Sequence, residues 1–370
     1  MVRILVTGGA GFIGSHLTDT LVKKGHEVTV FDNLEPQVHQ GKKPTYLNPD
    51  AAFIEGDVLD KEKLKAAVLD ADVVYHEAAM VGVGQSMYEI ARYMDANAIG
   101  TSHLLDILVN EEHDVKKLVV AASMSSYGEG AYVDADGNPY AFHMRPEAQL
   151  SAKQFEPVDA KGGKLTAVPT SEEKLQDCNS IYAISKKVQE DMVLNIGRSY
   201  GIPSVALRYF NAIGPRQSLS NPYTGVAAIF MSRIKNGNRP TIFEDGLQTR
   251  DFVSVHDIVQ ANVLAMEGHG ADYESVNVGT GKPTSILKVA QVIAQLYGSD
   301  VIPEVTSRFR KGDIRHCYAD ISKIQRLLGF EPKVSFTDAM KEIIAWSDTV
   351  EANDTVDEAT AELEKKGLIV

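Results

Sequence analysis

Thr7-Gly-Gly-Ala-Gly-Phe-Ile-Gly-Ser15 follows the short β-branched run Arg3-Ile-Leu-Val and opens a helical pattern from Phe12 to Lys24 that stops at Gly25. The order is strand, tight turn, helix. Gly8, Gly11 and Gly14, three apart, supply a turn, a close backbone approach to a pyrophosphate, and tight packing of a helix whose N-terminus faces the phosphates. Phe12 and Ile13, on the first turn of that helix, belong to the same expected contact. A second strand, Glu27 to Phe31, ends in Asp32, where a carboxylate accepts both adenosine ribose hydroxyls and repels a 2′-phosphate. Neither Asn33 nor Leu34 offers a compensating positive charge. The expected cofactor is therefore NAD rather than NADP.

Strand and helix signals keep alternating through Ala52–Glu55, Val73–His76 and Leu118–Ala122, which predicts an α/β fold with a Rossmann-like, doubly wound parallel sheet. Gly56-Asp57-Val58 closes the third strand, where Asp57 either bonds the adenine amino group or forms a turn. After the fourth strand, Ala78 and Ala79 are small enough for a cofactor ribose to lie on the backbone, and His76 reads as a packed side chain. Asn97 falls inside a helix, where asparagine is a poor former, and so is expected to bridge two elements near the site.

The bulk numbers narrow the partners. With 370 residues and 44% hydrophobic content the chain can bury a large core. A net charge of −13, from 37 basic and 50 acidic residues, gives no footprint for nucleic acid. No apolar run reaches the roughly 20 residues of a membrane span, and a strand beginning at Val2 leaves no room for a signal peptide. Two cysteines, Cys178 and Cys317, make neither a disulfide framework nor a metal motif. Cytoplasm is the expected compartment, and no metal is expected.

Tyr182-Ala-Ile-Ser-Lys186 sets a phenol and an ammonium on one helical face. A tyrosine with a pKa of about 10 is a poor base at neutral pH. A unit charge at roughly 4 Å and an effective dielectric of about 20 contributes about 4 kcal/mol, an upper bound near three pKa units. Lysine next to tyrosine thus predicts a phenol that titrates near working pH.

With these residues in view, the chain resembles the extended short-chain dehydrogenase/reductases, in their branch of nucleotide-sugar epimerases and dehydratases. The likeness also runs through Ser123-Met-Ser-Ser-Tyr127-Gly128, Arg208-Tyr-Phe-Asn211, Gly214-Pro-Arg-Gln217, Gln248-Thr-Arg250-Asp251-Phe252 and Arg310-Lys-Gly312-Asp313. It is similar to the dTDP-L-rhamnose 4-epimerases in Val81–Met87 and Asn221–Phe230, while UDP-glucose 4-epimerases share most of the rest. The resemblance implies that Tyr182 takes the proton of the sugar 4-hydroxyl while the C4 hydride passes to retained NAD and returns to the opposite face. Ser123 would orient that proton, with Ser125 and Ser126 as alternatives, and Lys186 would also bond the nicotinamide ribose. It places Val83, Ser86, Ser125 and Asn211 at the sugar or its phosphates, Arg250 and Arg310 on the diphosphate, Ile242 and Phe243 at the base, and Asp313 on the ribose. Dehydratases carry an Asp-Glu pair where Met124 and Ser125 stand here, and neither residue is an acid or base.

The expected organisation is a cofactor domain over 1–216, with an insertion at 129–178 and a return near 250–270; a smaller α/β substrate domain over 217–249 and 271–347; and a helical tail over 348–370. The insertion, within the 54 residues between Tyr127 and Tyr182, is expected to cover the sugar pocket or an interface. The tail reads as a surface helix without chemistry, stopped at Gly367. A homodimer through the helices near Asp95–Val109 and Ser180–Tyr200 follows from the resemblance. Two other functions remain open from sequence: a 4-ketosugar reductase with exchangeable NAD(P)H, and a non-catalytic NAD-binding regulator.

Overall fold

Seven strands form the main sheet, in the order Ser275–Val278, Ser204–Tyr209, Lys117–Ser123, Val73–His76, Arg3–Thr7, Glu27–Asp32 and Ala52–Glu55. Every neighbouring pair is parallel in this computed structural model, which describes residues 1–370. The chain winds outward from Arg3–Thr7 to one edge, then returns to Val73–His76 and winds to the other. That reversal opens a crevice at the carboxyl ends of these two strands. Because both faces are covered, the strands are apolar throughout: Ile4, Leu5 and Val6 are all buried. Ile4 and Val6 pack with Leu17, Leu21 and Ile258 on one face, while Leu5 packs with Leu64, Leu104 and Val193 on the other.

The smaller α/β unit is built on the strand Thr249–Ser254, which pairs with Asn211–Ile213, Pro283–Ser285 and His316–Cys317. Helices Val226–Lys235, Ile286–Leu296 and Phe336–Ser347 close a third core around Ile213, Met231, Ile293 and Met340.

The returning segment differs from the expected 250–270. Thr249–Ser254 lies in the smaller unit, and the return runs from the helix Val255–Glu267 to the strand Ser275–Val278, whose Val276 and Val278 are fully buried beside Leu207. A four-residue strand with a polar centre, Ser-Val-Asn-Val, carries too little pattern to be assigned to one sheet or the other from sequence.

The 129–178 insertion folds as a three-stranded antiparallel sheet, Ala131–Val133 between Pro139–Tyr140 and Thr166–Val168, with a helix at Glu147–Ser151. No helix of the chain is long and apolar enough to cross a membrane.

Candidate active site

One cavity of about 630 Å³ runs from the crevice into the smaller unit. All the expected cofactor and substrate residues border it except Asn97 and Ser86. At its cofactor end the glycine loop is fixed by contact: Gly8 has φ +69°, and a Cβ there would lie 2.6 Å from the Ala78 backbone nitrogen. A Cβ on Gly11 would meet only the Gly8 carbonyl oxygen, at 3.2 Å, so its open side is free for a ligand. Asp32, at the end of its strand, accepts from the Ala10 N–H at 3.0 Å and the Leu34 N–H at 2.8 Å. Burial pushes its carboxyl up, against those backbone donors and His39. Asp57 makes the turn alternative real by accepting from the Leu59 N–H at 2.9 Å, and it also accepts from Asn33 Nδ2 at 2.9 Å. The loop, the Asp32 carboxylate, Val58 and the Ala78-Ala79 backbone together fit a dinucleotide.

Asn97 does not border the cavity. It sits in a π-helical turn, Asp95–Ile99, accepts from the Met80 N–H at 2.7 Å, and donates to the Met80 carbonyl at 3.0 Å and to Ser185 Oγ at 2.9 Å. It ties the loop after the fourth strand to the Tyr182 helix, which is the bridging duty that explains an asparagine there. Ser86 likewise turns away from the cavity. Its hydroxyl accepts from the Tyr182 N–H at 3.0 Å and donates to the Val83 carbonyl at 2.7 Å, so it satisfies a free N–H in the first turn of the Ile181–Tyr200 helix, which Ser180 caps.

At the reacting end, Ser125 donates to Ser123 Oγ at 2.8 Å, which leaves the Ser123 proton free to point at the Tyr182 phenol. Ser126 is excluded, because it donates to the Ser123 carbonyl and accepts from Gln176. Burial pushes the Tyr182 phenol up, and the Ser123 hydroxyl pulls it down. The expected lysine effect on the phenol is not what this arrangement contains: Lys186 Nζ donates to Gln189 Oε1 at 2.7 Å. Gln189 in turn donates to Thr101 Oγ1 at 2.8 Å, which also bonds His76 Nε2 at 2.9 Å, and His76 Nδ1 meets Thr7 Oγ1 at 2.8 Å. Burial lowers the His76 imidazole to about 3 and the Lys186 ammonium to about 8. A neutral histidine thus anchors a chain of polar groups that ends on the lysine. Gln189 escaped the sequence reading, although its place three residues after Lys186 puts it on the same face.

Three comparisons bear on this constellation. The family model described as NAD dependent epimerase/dehydratase matches residues 4–147, and that of GDP-mannose 4,6 dehydratase matches 162–343. The dTDP-L-rhamnose 4-epimerase of Burkholderia thailandensis is 35% identical over 93% of this chain and 94% of its own. The chain belongs to the NAD-dependent nucleotide-sugar epimerase family. Solved structures agree: a UDP-glucose 4-epimerase of Thermotoga maritima with UDP-glucose is 33% identical, with TM-score 0.77, over 94% of this chain and 99% of that one. The Thermus thermophilus UDP-glucose 4-epimerase in complex with NAD is 29% identical, with TM-score 0.74, over 94% and 100%. The protein is an enzyme of the isomerase class, and NAD is its cofactor.

In this epimerase the two expected diphosphate arginines divide. Arg250 commits both terminal nitrogens to the carbonyls of Thr249, Ile314 and Arg315 and to Asp313. Arg310 donates to Asp313 at 3.2 Å, lies 4.7 Å over the Phe243 ring, and keeps a buried Nε without a partner. Arg310 is the arginine with donors to spare. Asp313 is held ionised by Arg310, Arg250 and Arg145 against its burial. Asn211 Oδ1 and Gln217 Oε1 are also buried, unpartnered and on the cavity, while Ile242 and Phe243 line its far end.

The insertion does not cover the pocket, since none of residues 129–178 borders the cavity. It braces the strip that carries Arg310 and Asp313 instead. Arg145 donates to Glu244 at 2.9 Å and to the Asp313 carbonyl at 3.0 Å, and Glu129 accepts from the Arg315 N–H at 2.9 Å. The tail departs from expectation in the opposite sense, because Val356, Ala359, Thr360, Leu363 and Ile369 border the cavity.

Glu77 is a second group missed from sequence. It lines the cavity, accepts from Tyr209 Oη at 2.8 Å, and is pushed up to about 7 by burial, against Tyr209 and Lys186. A raised carboxyl holds its proton in the folded chain between pH about 4.5 and 7, whereas the unfolded chain has lost it, so this stabilisation is lost as pH rises through that window. The loss is at most about 3 kcal/mol. Glu77→Gln keeps the acceptor for Tyr209 without the charge. Relative to wild type, its melting temperature should gain more at pH 8 than at pH 5, as differential scanning calorimetry at both pH values would register.

Proposed function

We propose that the enzyme inverts C4 of a nucleoside-diphosphate 6-deoxyhexose, in the manner of dTDP-L-rhamnose to dTDP-6-deoxy-L-talose, through a transient 4-keto sugar. The carrying observation is a single acid–base phenol, Tyr182, aligned with Ser123 and Ser125, next to a methionine where elimination would need an acid. Bound NAD supplies an acceptor that takes the C4 hydride and gives it back. The residues do the rest. Tyr182 removes the 4-hydroxyl proton and later restores it; Ser123 orients that proton and favours the ionised phenol; Lys186, held by Gln189, bonds the nicotinamide ribose. Arg310 and Asn211 hold the diphosphate and sugar, Arg250 positions Asp313, Asp313 holds the ribose, and Ile242 and Phe243 hold the base. The 6-deoxy sugar is supported by the relative at 35% identity, and a UDP-glucose/UDP-galactose 4-epimerase is the second reading, favoured by the Thermotoga neighbour. Dehydration, suggested by the second family model, is disfavoured by Met124 and Ser125.

We also propose a homodimer, with Ile99 and Ile184, 45% and 40% exposed on the Asp95–Asn110 and Ile181–Tyr200 helices, in its interface, and a cytoplasmic site of action, where two free thiols persist. The substrate test is proton NMR of the purified enzyme with dTDP-L-rhamnose or UDP-galactose and no added cofactor. The C4 epimer of dTDP-L-rhamnose should form at least ~10-fold faster, the discrimination a single sugar substituent supports. Faster conversion of UDP-galactose would favour the second reading. Turnover only of a ketosugar with added NAD(P)H would make the enzyme a reductase.

A further inference from the structure

We infer that segment 356–370 is a wall of the sugar-nucleotide site, and that Leu363 on it selects for an apolar exocyclic carbon on the sugar. The inference rests on the proposed reading of the cavity. Val356, Ala359, Thr360 and Leu363 recur at helical spacing, so one face of the Val356–Lys365 helix borders the cavity while Asp357, Glu358 and Glu362 face outward.

Two contacts fix where this wall stands. A Cβ on Gly84 would lie 3.4 Å from a Leu363 methyl, ordinary contact distance, so the two residues are packing neighbours. Gly84 lies in the same short helix, Val83–Ser86, whose Ser86 hydroxyl accepts the Tyr182 N–H. Leu363 therefore belongs to the reacting end of the cavity. At the other end, Leu368 to Val370 lie antiparallel to Phe309–Lys311: Phe309 and Val370 exchange two backbone hydrogen bonds of 3.0 Å, Lys311 N–H donates to the Leu368 carbonyl at 2.9 Å, and Ile369 faces Arg310. One segment thus touches both the element that sets Tyr182 and the arginine with free donors. Its remaining anchors include the ion pairs Arg308–Glu364, exposed on both sides and weak, and Arg233–Asp357, whose arginine is buried. Docked by Ala359, Leu363 and Ile369, a short backbone pairing at its end and ion pairs open to water on at least one side, the segment can open locally and admit a ligand.

The chemistry of the wall bears on specificity. Val83 and Leu363 carry no donor or acceptor, so a hydroxymethyl or carboxylate set against them leaves water without a replacement partner. A methyl group there gains contact instead.

The test uses the NAD-loaded enzyme in two arms. Hydrogen exchange of residues 356–370 should slow at least ~5-fold with saturating dTDP or UDP, as expected when a ligand draws on a locally opening segment; unchanged exchange overturns the wall. Leu363→Gln should lower the ratio of kcat/KM for a 6-deoxyhexose over a 6-hydroxyhexose nucleotide about 10-fold, the scale of one methyl-sized discrimination, with NAD content unchanged. An unchanged ratio overturns the selection. Leu363→Met, which conserves volume, should keep the wild-type ratio and separates loss of fold from loss of selectivity. Were wild type to epimerise neither sugar, the proposed function would fail while the exchange arm still decided the wall.

Discussion

Tyr182→Phe is expected to cut kcat by roughly 10²- to 10⁴-fold, the range that general acid–base groups contribute, while the protein still purifies with NAD. The substitution removes one oxygen and leaves the helix, its backbone bond to Ser86 and the ring contact with Tyr93 intact. Ser123 has no partner that could take over, since its own oxygen is already an acceptor for Ser125. The wild-type rate should also decline as pH rises through about 8, where buried Lys186 loses the charge with which it would hold the nicotinamide ribose. That sign follows from a lowered lysine pKa: the cation is present below it and lost above. Near-normal turnover by the phenylalanine variant, measured in a stopped assay of C4 inversion, would remove Tyr182 from the reaction.

The second large effect falls on stability. Arg315 is fully buried and its guanidinium joins three carboxylates: Glu156 at 2.5 Å, Glu244 at 2.9 Å and Asp245 at 2.6 Å. Arg315→Met fits the space and strips those carboxylates of their shared cation. Breaking the buried pair with Glu244 costs about 3–5 kcal/mol, because that charge stays behind in the interior, while the half-exposed Glu156 and Asp245 add little. A fall in melting temperature of roughly 5 °C should follow. The damage should be local to substrate binding, since the network holds the strip from Phe309 to Cys317 against Glu129 and Arg145 of the insertion. Nucleotide affinity should weaken while NAD content holds. An unchanged melting temperature, followed by circular dichroism, would mean that the network does not brace the strip.

What could be read from sequence, and what could not, divides along one physical line. The glycine loop, the run of buried strands and the Tyr182/Lys186 spacing are local: each is set by residues within one turn or one strand of one another, and period and turn chemistry display them. The chain from Thr7 through His76 and Thr101 to Gln189 and Lys186 draws on four separate segments, and Glu129 meets Arg315 across 186 residues. No local pattern announces such contacts. The insertion was placed over the pocket for that reason, because nothing local shows that Glu129 and Arg145 pair in the interior with the strip that carries Asp313 and Arg315. The tail was misjudged because an amphipathic helix shows which face is buried but not against what. Asn97 and Ser86 were near misses of another kind. Both are where the site needs them, yet they hold backbone rather than ligand.

The central claim is that hydrogen leaves and returns to the same C4 within one enzyme-bound cycle. Its most direct test is turnover of dTDP-L-rhamnose carrying deuterium at C4, in ordinary water, with no cofactor added. Full retention of the label at C4 of the inverted product is the predicted result. Loss of the label to solvent, or turnover that begins only when NAD(P)H is supplied, would contradict it.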